Sequence, residues 1–149
     1  RRVINMNRTI APRNAAVLSY AGLIPFIAPV ILILFAGPTA RPAALDAFLV
    51  YGAIILSFLG GIRWGAASSA KFKADSALVI SVLPSLWAVA CLLLPSDQVS
   101  AWGMMTGFVL MGLADWLYPG LHVASWMRPL RVRRTLAVVA CHVVVIGLM

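Results

Sequence analysis

Two charged side chains lie within long apolar stretches of this sequence, and they are its first candidates for chemistry. Arg63 precedes the end of its stretch by five residues, and Asp115 precedes the end of another by three. Ionisable groups inside a membrane normally pair with one another or line a water-filled cavity. A proton or ion path would need further carboxylates near the middle of these stretches, and the sequence places none there. We therefore predict a salt bridge between Arg63 and Asp115, with contact between Arg63 and a lipid phosphate as the alternative.

The histidines and cysteines do not form a recognisable site. Histidine can ligate haem or a metal ion, but His122 and His142 are 20 positions apart and only His142 falls within an apolar stretch. Cys91 and Cys141 both lie in apolar stretches, as buried free thiols do. The sequence also lacks a glycine-rich phosphate loop, a nucleophile motif, a zinc motif and paired catalytic carboxylates. We therefore expect no metal, no cofactor and no enzymatic activity.

The composition is typical of a membrane protein. Hydrophobic residues make up 62% of the 149 residues and charged residues 11%, whereas soluble domains are about 45–50% apolar and about 25% charged. A chain of this size could not bury so much apolar surface in water. The net charge is +8, but the cations lie at the ends of apolar stretches. That placement is typical of membrane topology and argues against a nucleic-acid partner.

Five apolar stretches predict a compact all-α bundle of five transmembrane helices. Each of the first four approaches or exceeds the roughly 20 residues that cross a bilayer core, and Pro25 and Pro29 predict a kink in the first. The fifth covers only about 22 Å at the helical rise per residue, so four spans and a re-entrant tail are the alternative. The stretches are 15–36, 46–68, 76–94, 99–118 and 135–149. We predict a basic N-terminal segment, 1–14, and one helical membrane domain, 15–149.

The loop charges predict the orientation of these helices. Positive residues concentrate in every second segment outside the apolar stretches, and by the positive-inside rule those segments face the cytoplasm or the mitochondrial matrix. The N-terminus is then inside and, with five spans, the C-terminus is outside. We expect the inner membrane of a bacterium, with the mitochondrial inner membrane as the alternative. The cations of the inside segments are Arg1, Arg2, Arg8, Arg13, Lys71, Lys73, Arg128, Arg131, Arg133 and Arg134.

Small residues recur at every fourth position in two of the predicted helices. Ser57, Gly61 and Gly65 share one face of the second helix. Gly103 and Gly107 share one face of the fourth. Such faces let helix backbones approach closely in lipid. We favour close packing inside the bundle, with a docking face for another membrane protein as the alternative.

The segment before the fifth stretch combines apolar side chains with four arginines. Arg128, Arg131, Arg133 and Arg134 stand there among leucine, valine and tryptophan. This composition suits a segment at the membrane interface, with its cations on lipid headgroups. We favour simple positive-inside anchoring, with specific contacts to an anionic lipid such as cardiolipin as the alternative.

Three segments of the chain carry a family resemblance. They are YGAIILSFLGGIRWGAA (51–67), LSYAGLIPFIAPV (18–30) and ADWLYPG (114–120). Together they resemble the transmembrane protein 69 family, short multispan proteins of unknown function in Proteobacteria and mitochondria. The resemblance would extend over 15–149. It implies a membrane location and a compact helical fold, and it supplies neither a reaction nor catalytic residues.

The sequence favours a non-enzymatic role. Small size and glycine-rich helix faces suggest an accessory or assembly subunit of a larger inner-membrane complex, with membrane lipids and other membrane subunits as partners. A small oligomeric transporter or channel is one alternative. A quinone- or lipid-binding protein is another, in which the kink at Pro25 and Pro29, together with Trp87, would leave a lateral cleft.

Overall fold

The computed structural model describes residues 13–69, 75–117 and 127–149, and within these ranges all regular secondary structure is helical. The prediction of an all-α protein is confirmed for this part of the chain. Most of the predicted basic segment 1–14, together with Lys71 and Lys73, lies outside the described residues. The helices are α1 (Arg13–Ala21), α2 (Ile24–Phe35), α3 (Arg41–Ser69), α4 (Asp75–Leu92), α5 (Asp97–Leu117) and α6 (Met127–Gly147).

Two of these helices begin well before the apolar stretches that predicted them. α3 begins at Arg41 rather than at residue 46, and α6 begins at Met127 rather than at residue 135. Hydropathy marks the apolar part of a helix, whereas backbone hydrogen bonding continues through the polar turns that precede it. As a result α6 has 21 residues and is about 31 Å long.

The surface of the described helices is rich in apolar side chains. Two helical stretches, Ala16–Phe35 with 20 residues and Arg41–Ser68 with 28, are long and apolar enough to cross a membrane, and Ala77–Leu92 is a shorter apolar helix. Leu93 and Phe35 are among many large apolar side chains left exposed. So many exposed large apolar side chains suit a lipid surrounding.

The first apolar stretch is broken into two helices rather than kinked within one. In a continuous helix the Phe26 amide would donate to the Gly22 carbonyl, four residues earlier. Instead it donates to the Leu23 carbonyl at 3.0 Å, and Pro25 lies in the first turn of α2, where its missing N–H breaks no hydrogen bond. The Tyr51 hydroxyl of α3 donates to the freed Gly22 carbonyl at 2.9 Å. This bond stabilises the break because an unpaired carbonyl is costly in an apolar surrounding.

An aromatic cluster joins α2, α3 and α5 at the centre of the protein. The Phe26 ring is almost fully buried and meets three other rings edge-on. Its centroid lies 5.6 Å from that of Phe48, 5.0 Å from that of Tyr51 and 5.9 Å from that of Phe108. Edge-to-face contacts of this kind stabilise a core beyond the area that they bury.

The small residues of α5 pack inside the protein. A Cβ atom at Gly103 would lie 2.5 Å from the sulfur of Cys91. A Cβ atom at Gly107 would lie 2.7 Å from a methyl group of Leu56 and 3.0 Å from the ring of Trp87. Both glycines therefore allow α5 to approach its neighbours closely, which agrees with close packing inside the bundle rather than with a docking face.

The small residues of α3 are arranged differently. A Cβ atom at Gly61 or Gly65 would meet no atom of the described chain within 4 Å, and Ser57 is half-buried. The close contact with α4 is made instead by Gly60, where a Cβ atom would lie 2.5 Å from the Ser81 carbonyl oxygen. One residue changes the direction of a helical side chain by about 100°. Gly60, which contacts α4, therefore lies about 100° around the helix from the face formed by Ser57, Gly61 and Gly65.

The doublet of Gly60 and Gly61 gives a matched test of this packing. We expect Gly60→Ala to lower the unfolding midpoint in mild detergent by destabilising the α3–α4 contact, at a cost of about 1–3 kcal/mol, because backbone would have to move. Gly61→Ala adds the same methyl group one residue away, in open space, and should leave the midpoint unchanged or raise it through helix propensity. Circular dichroism during heating measures the unfolding midpoints of both variants. Equal decreases in the two midpoints would contradict the finding that Gly60, and not Gly61, makes the close contact with α4.

Candidate functional site

Three charged side chains from three helices meet at one end of the bundle. Arg63 of α3 donates from Nη2 to Asp115 Oδ1 at 2.7 Å, and Arg131 of α6 donates from Nη1 to Asp115 Oδ2 at 2.7 Å. The side chains of Arg63, Arg131 and Asp115 are only 7%, 5% and 17% exposed. The structure thus brings together the predicted pair and adds a second arginine, forming what we call the Asp115 cluster (Arg63, Asp115 and Arg131).

The Asp115 cluster holds more positive than negative charge. Each carboxylate oxygen accepts from one guanidinium, so two cations share one anion. Arg63 Nε and Arg131 Nη2 are buried, and neither has a hydrogen-bond partner among the described residues. Buried guanidinium groups normally use all their donors, because an unpaired charge in an apolar surrounding is expensive. The cluster therefore carries one positive charge in excess, and two of its buried donors have no partner among the described residues.

The contact of Arg131 with Asp115 was not predicted from the sequence, which grouped Arg131 with the arginines at the membrane interface. Arg131 lies on the buried face of α6, in line with Thr135, Val138 and His142 at spacings of four, three and four residues. That helical spacing was the signal in the sequence, and it was hidden because α6 was predicted to begin only at residue 135. The arginine therefore lies on the same helical face as the core residues that follow it.

The other predicted lipid-contacting arginines lie in different surroundings. Arg134 is half-buried, and its Nε donates to the Leu130 carbonyl at 3.0 Å, whereas Arg133 is exposed. The side chain of Arg128 lies outside the described residues. Adjacent arginines of the same helix thus have different access to the protein interior.

A cleft of about 350 Å³ leads from the Asp115 cluster toward the aromatic core. Its charged end is formed by Asp115, Arg131 and Arg134, and the rest of its wall is mostly apolar. Leu18 and Phe58 line the cleft while they are 73% and 62% exposed, so the cleft opens sideways at the protein surface. The remaining lining residues are Ser19, Gly22, Leu23, Phe26, Ile55, Leu59, Ile62, Phe108, Met111, Gly112, Thr135 and Val138.

The break between α1 and α2 borders this cleft. Gly22 and Leu23, the two residues between those helices, both belong to its wall. Trp87, which the lipid-binding alternative placed at a lateral cleft, is not part of it. The Trp87 Nε1 donates instead to the Gly103 carbonyl at 2.8 Å and links α4 to α5. The cleft thus lies beside the broken first stretch, but Pro25, Pro29 and Trp87, which defined the predicted lateral cleft, are not in its wall.

His142 is a packing residue in the structure. It is fully buried, and its ring lies 4.6 Å from that of Phe48 and 5.5 Å from that of Phe108, between centroids. Its Nδ1 lies 2.9 Å from the Val138 carbonyl, which can only accept, so Nδ1 carries the proton. Within the described residues no three His, Cys, Asp or Glu side chains are grouped as metal ligands would be. His122 lies outside the described residues.

The Asp115 cluster predicts a strong effect of removing its carboxylate. Asp115→Asn leaves two buried guanidinium groups without their counter-charge, and we expect the free energy of unfolding to fall by about 3–5 kcal/mol. Asp97→Asn is the matched control, since it makes the same chemical change at an exposed position in the first turn of the same helix. Unfolding in mild detergent, followed by circular dichroism, compares the two. A loss no larger for Asp115→Asn than for Asp97→Asn would contradict the structural role of the cluster.

Comparison with known proteins places the chain in a family. Residues 11–147 match the family described as protein of unknown function (DUF3429). Transmembrane protein 69 of Xenopus tropicalis is 37% identical over 136 residues, which cover 87% of this chain and 52% of that protein. Transmembrane protein 69 of Mus musculus is 34% identical over 131 residues, covering 85% of this chain and 52% of that protein. The chain spans about half the length of these curated relatives, and no solved structure matches it.

The family assignment agrees with the resemblance found in the sequence and with the apolar surface of the structure. The relatives are named as transmembrane proteins, and two described helical stretches are long and apolar enough to cross a membrane. The chain is therefore a membrane protein, and it belongs to the DUF3429 family of proteins of unknown function, which includes relatives of transmembrane protein 69.

Proposed function

We propose that this protein binds a membrane amphiphile, a lipid or a quinone, in the cleft beside the Asp115 cluster. The observation that carries the proposal is an apolar cleft of about 350 Å³ that opens at the protein surface and ends at three charged side chains. Binding sites for small molecules typically have volumes of about 300–1,000 Å³, with mostly apolar walls and a few polar groups that orient the ligand. An amphiphile has the same division between an apolar body and a polar head.

The proposal includes the predicted topology, with five spans, the N-terminus inside and the C-terminus outside. One contact supports the parallel arrangement of α3 and α5 in this topology. In this topology α3 and α5 run in the same direction, and Arg63 and Asp115 lie near the inner end of each. The 2.7 Å contact between them requires that they lie at the same depth. The polar end of the cleft would then lie at the inner membrane interface, where headgroups are found.

The location we propose is the inner membrane of a bacterium or, as the alternative, of a mitochondrion. The distribution of basic residues supports an inside face that carries the Asp115 cluster, since Arg131, Arg133 and Arg134 lie at the same end of α6. Anionic lipids and a basic protein face attract one another at such an interface. A ligand that enters sideways from the bilayer would reach the cleft without crossing water.

Occupation of the cleft can be tested with a photoreactive phospholipid that carries a diazirine on its acyl chain. We expect light-induced cross-links to the wild-type protein in vesicles, and several-fold weaker labelling of Ser19→Phe, because the added ring would fill the half-buried position of Ser19 in the cleft wall. Ala28→Phe is the control, since it adds the same ring at an exposed position of α2 that is not part of the cleft. Equal labelling of both variants would mean that the lipid contacts only the outer surface.

A second function is favoured by one specific observation, the open space at Gly61. We propose as this second candidate that the protein is an accessory or assembly subunit whose α3 receives a helix of a partner membrane protein. A Cβ atom at Gly61 would meet no described atom within 4 Å. Small residues at exposed positions let a second helix approach closely in a bilayer. Under this second candidate function, the cleft would be a binding site of the larger complex.

This candidate predicts that Gly61→Leu releases partner subunits that purify with the protein in mild detergent, while the unfolding midpoint of the isolated protein stays the same. Ala47→Leu provides the comparison, because it also enlarges an exposed small residue of α3. The measurement is the amount of each partner per copy of this chain, by quantitative mass spectrometry. Wild-type protein that purifies alone would contradict the accessory role.

A further inference from the structure

We propose that the charged end of the cleft binds the phosphate monoester of an anionic phospholipid such as phosphatidic acid. The inference rests on the proposed function, because it assumes that an amphiphile occupies the cleft. It goes further by assigning the headgroup and the residues that recognise it. Arg131 and Arg134 would contact the phosphate, and Arg63 would act as a positioning residue through Asp115.

The charge balance of the site is the first argument. Arg63, Arg131 and Arg134 carry three positive charges against the one negative charge of Asp115, and each carboxylate oxygen already accepts a guanidinium at 2.7 Å. Among the described residues the site therefore holds an excess of two positive charges. A phosphate monoester carries about −1.5 to −2 at neutral pH, so it would balance this excess, whereas a phosphodiester would balance only half of it.

The available donors are the second argument. Arg131 lines the cleft, is more than nine-tenths buried, and has its Nη2 without a hydrogen-bond partner among the described residues. Arg134 lines the same end of the cleft, and since its Nε donates to the Leu130 carbonyl, the donors it would offer a ligand are those of its two amino groups. Guanidinium groups match the oxygens of phosphate in geometry as well as in charge.

The apolar wall is the third argument, and it separates a lipid from a free phosphate. Immediately beyond the charged residues the cleft is lined by apolar side chains, including Ile62, Leu59 and Met111, and it opens at the exposed Leu18. A free phosphate ion would gain nothing from these contacts. An acyl chain bound to the same phosphate would pack against these apolar side chains and would extend into the bilayer through the open side.

The headgroup can be tested on the full chain in mild detergent by native mass spectrometry, with phosphatidic acid and phosphatidylcholine of the same acyl chains present in equal amounts. We expect retained phosphatidic acid to exceed phosphatidylcholine by at least about tenfold, the effect of one charge-assisted hydrogen bond. Arg134→Gln should reduce this preference by about tenfold, since it removes one positive charge and replaces the guanidinium donors by a single shorter amide group. Arg133→Gln removes the same charge from the adjacent exposed position and should leave the preference unchanged.

Each outcome decides a different point. Equal retention of the two lipids, or equal effects of the two arginine variants, would overturn the headgroup assignment while leaving an amphiphile in the cleft. Retention of phosphatidylglycerol as strongly as phosphatidic acid would overturn the monoester assignment. Binding of soluble glycerol 3-phosphate as strongly as phosphatidic acid would overturn the lipid assignment. Failure of the wild-type protein to retain or cross-link any lipid or quinone would contradict the proposed function itself.

The variant Arg131→Lys tests the headgroup assignment independently of Arg134. Lysine keeps the charge beside Asp115 but loses the planar pair of donors. We expect this variant to keep the fold, as judged by an unchanged circular dichroism spectrum, and to lose part of the preference for phosphatidic acid. A variant that folds and retains the full preference would exclude Arg131 from the headgroup contact.

Discussion

The arrangement of α3, α5 and α6 depends on the need of buried guanidinium groups for a counter-charge. Asp115 supplies it to Arg63 on one side and to Arg131 on the other, at 2.7 Å in both cases. An arginine with so little exposure is stable only where an anion accepts its hydrogen bonds. Since each of the three residues belongs to a different helix, the contacts fix the relative depth and rotation of all three. The aromatic core and the polar end of the cleft both lie between helices held in this way.

Much of the architecture follows from the sequence because lipid requires a simple pattern. Long apolar stretches predicted the helices, and Pro25 and Pro29 located the irregular one. The contact between Arg63 and Asp115 could be anticipated because two opposite charges at equal predicted depth have few other partners. The start of α6 could not, because hydropathy ends where arginines begin, although the helix continues through them. The error in that boundary is what concealed Arg131.

The rotation of each helix about its axis was beyond sequence reasoning for a different reason. Small residues at every fourth position identify a face, but they do not say which neighbour the face meets. The structure assigns Gly103 and Gly107 to internal contacts, while the internal contact of α3 is made by Gly60 and Gly61 points into open space. These assignments depend on contacts between helices distant in sequence, which the spacing of residues within one helix does not reveal. The sequence anticipated a lateral cleft beside the proline-containing first stretch, but it did not place Asp115, Arg131 and Arg134 at one end of that cleft.

The hydrogen bond from Tyr51 to the Gly22 carbonyl has a consequence for how the protein is made. Chains leave the ribosome in sequence order, so the residues around Gly22 emerge before Tyr51 of α3 does. The Gly22 carbonyl then has no hydrogen bond from Tyr51, which lies 29 residues later in the chain, until α3 is in place. In hydrocarbon an unpaired carbonyl costs several kcal/mol. The break between α1 and α2 is therefore stable only after α3 lies beside it. The first helix pair on its own therefore lacks a partner for the Gly22 carbonyl, and α3 completes it.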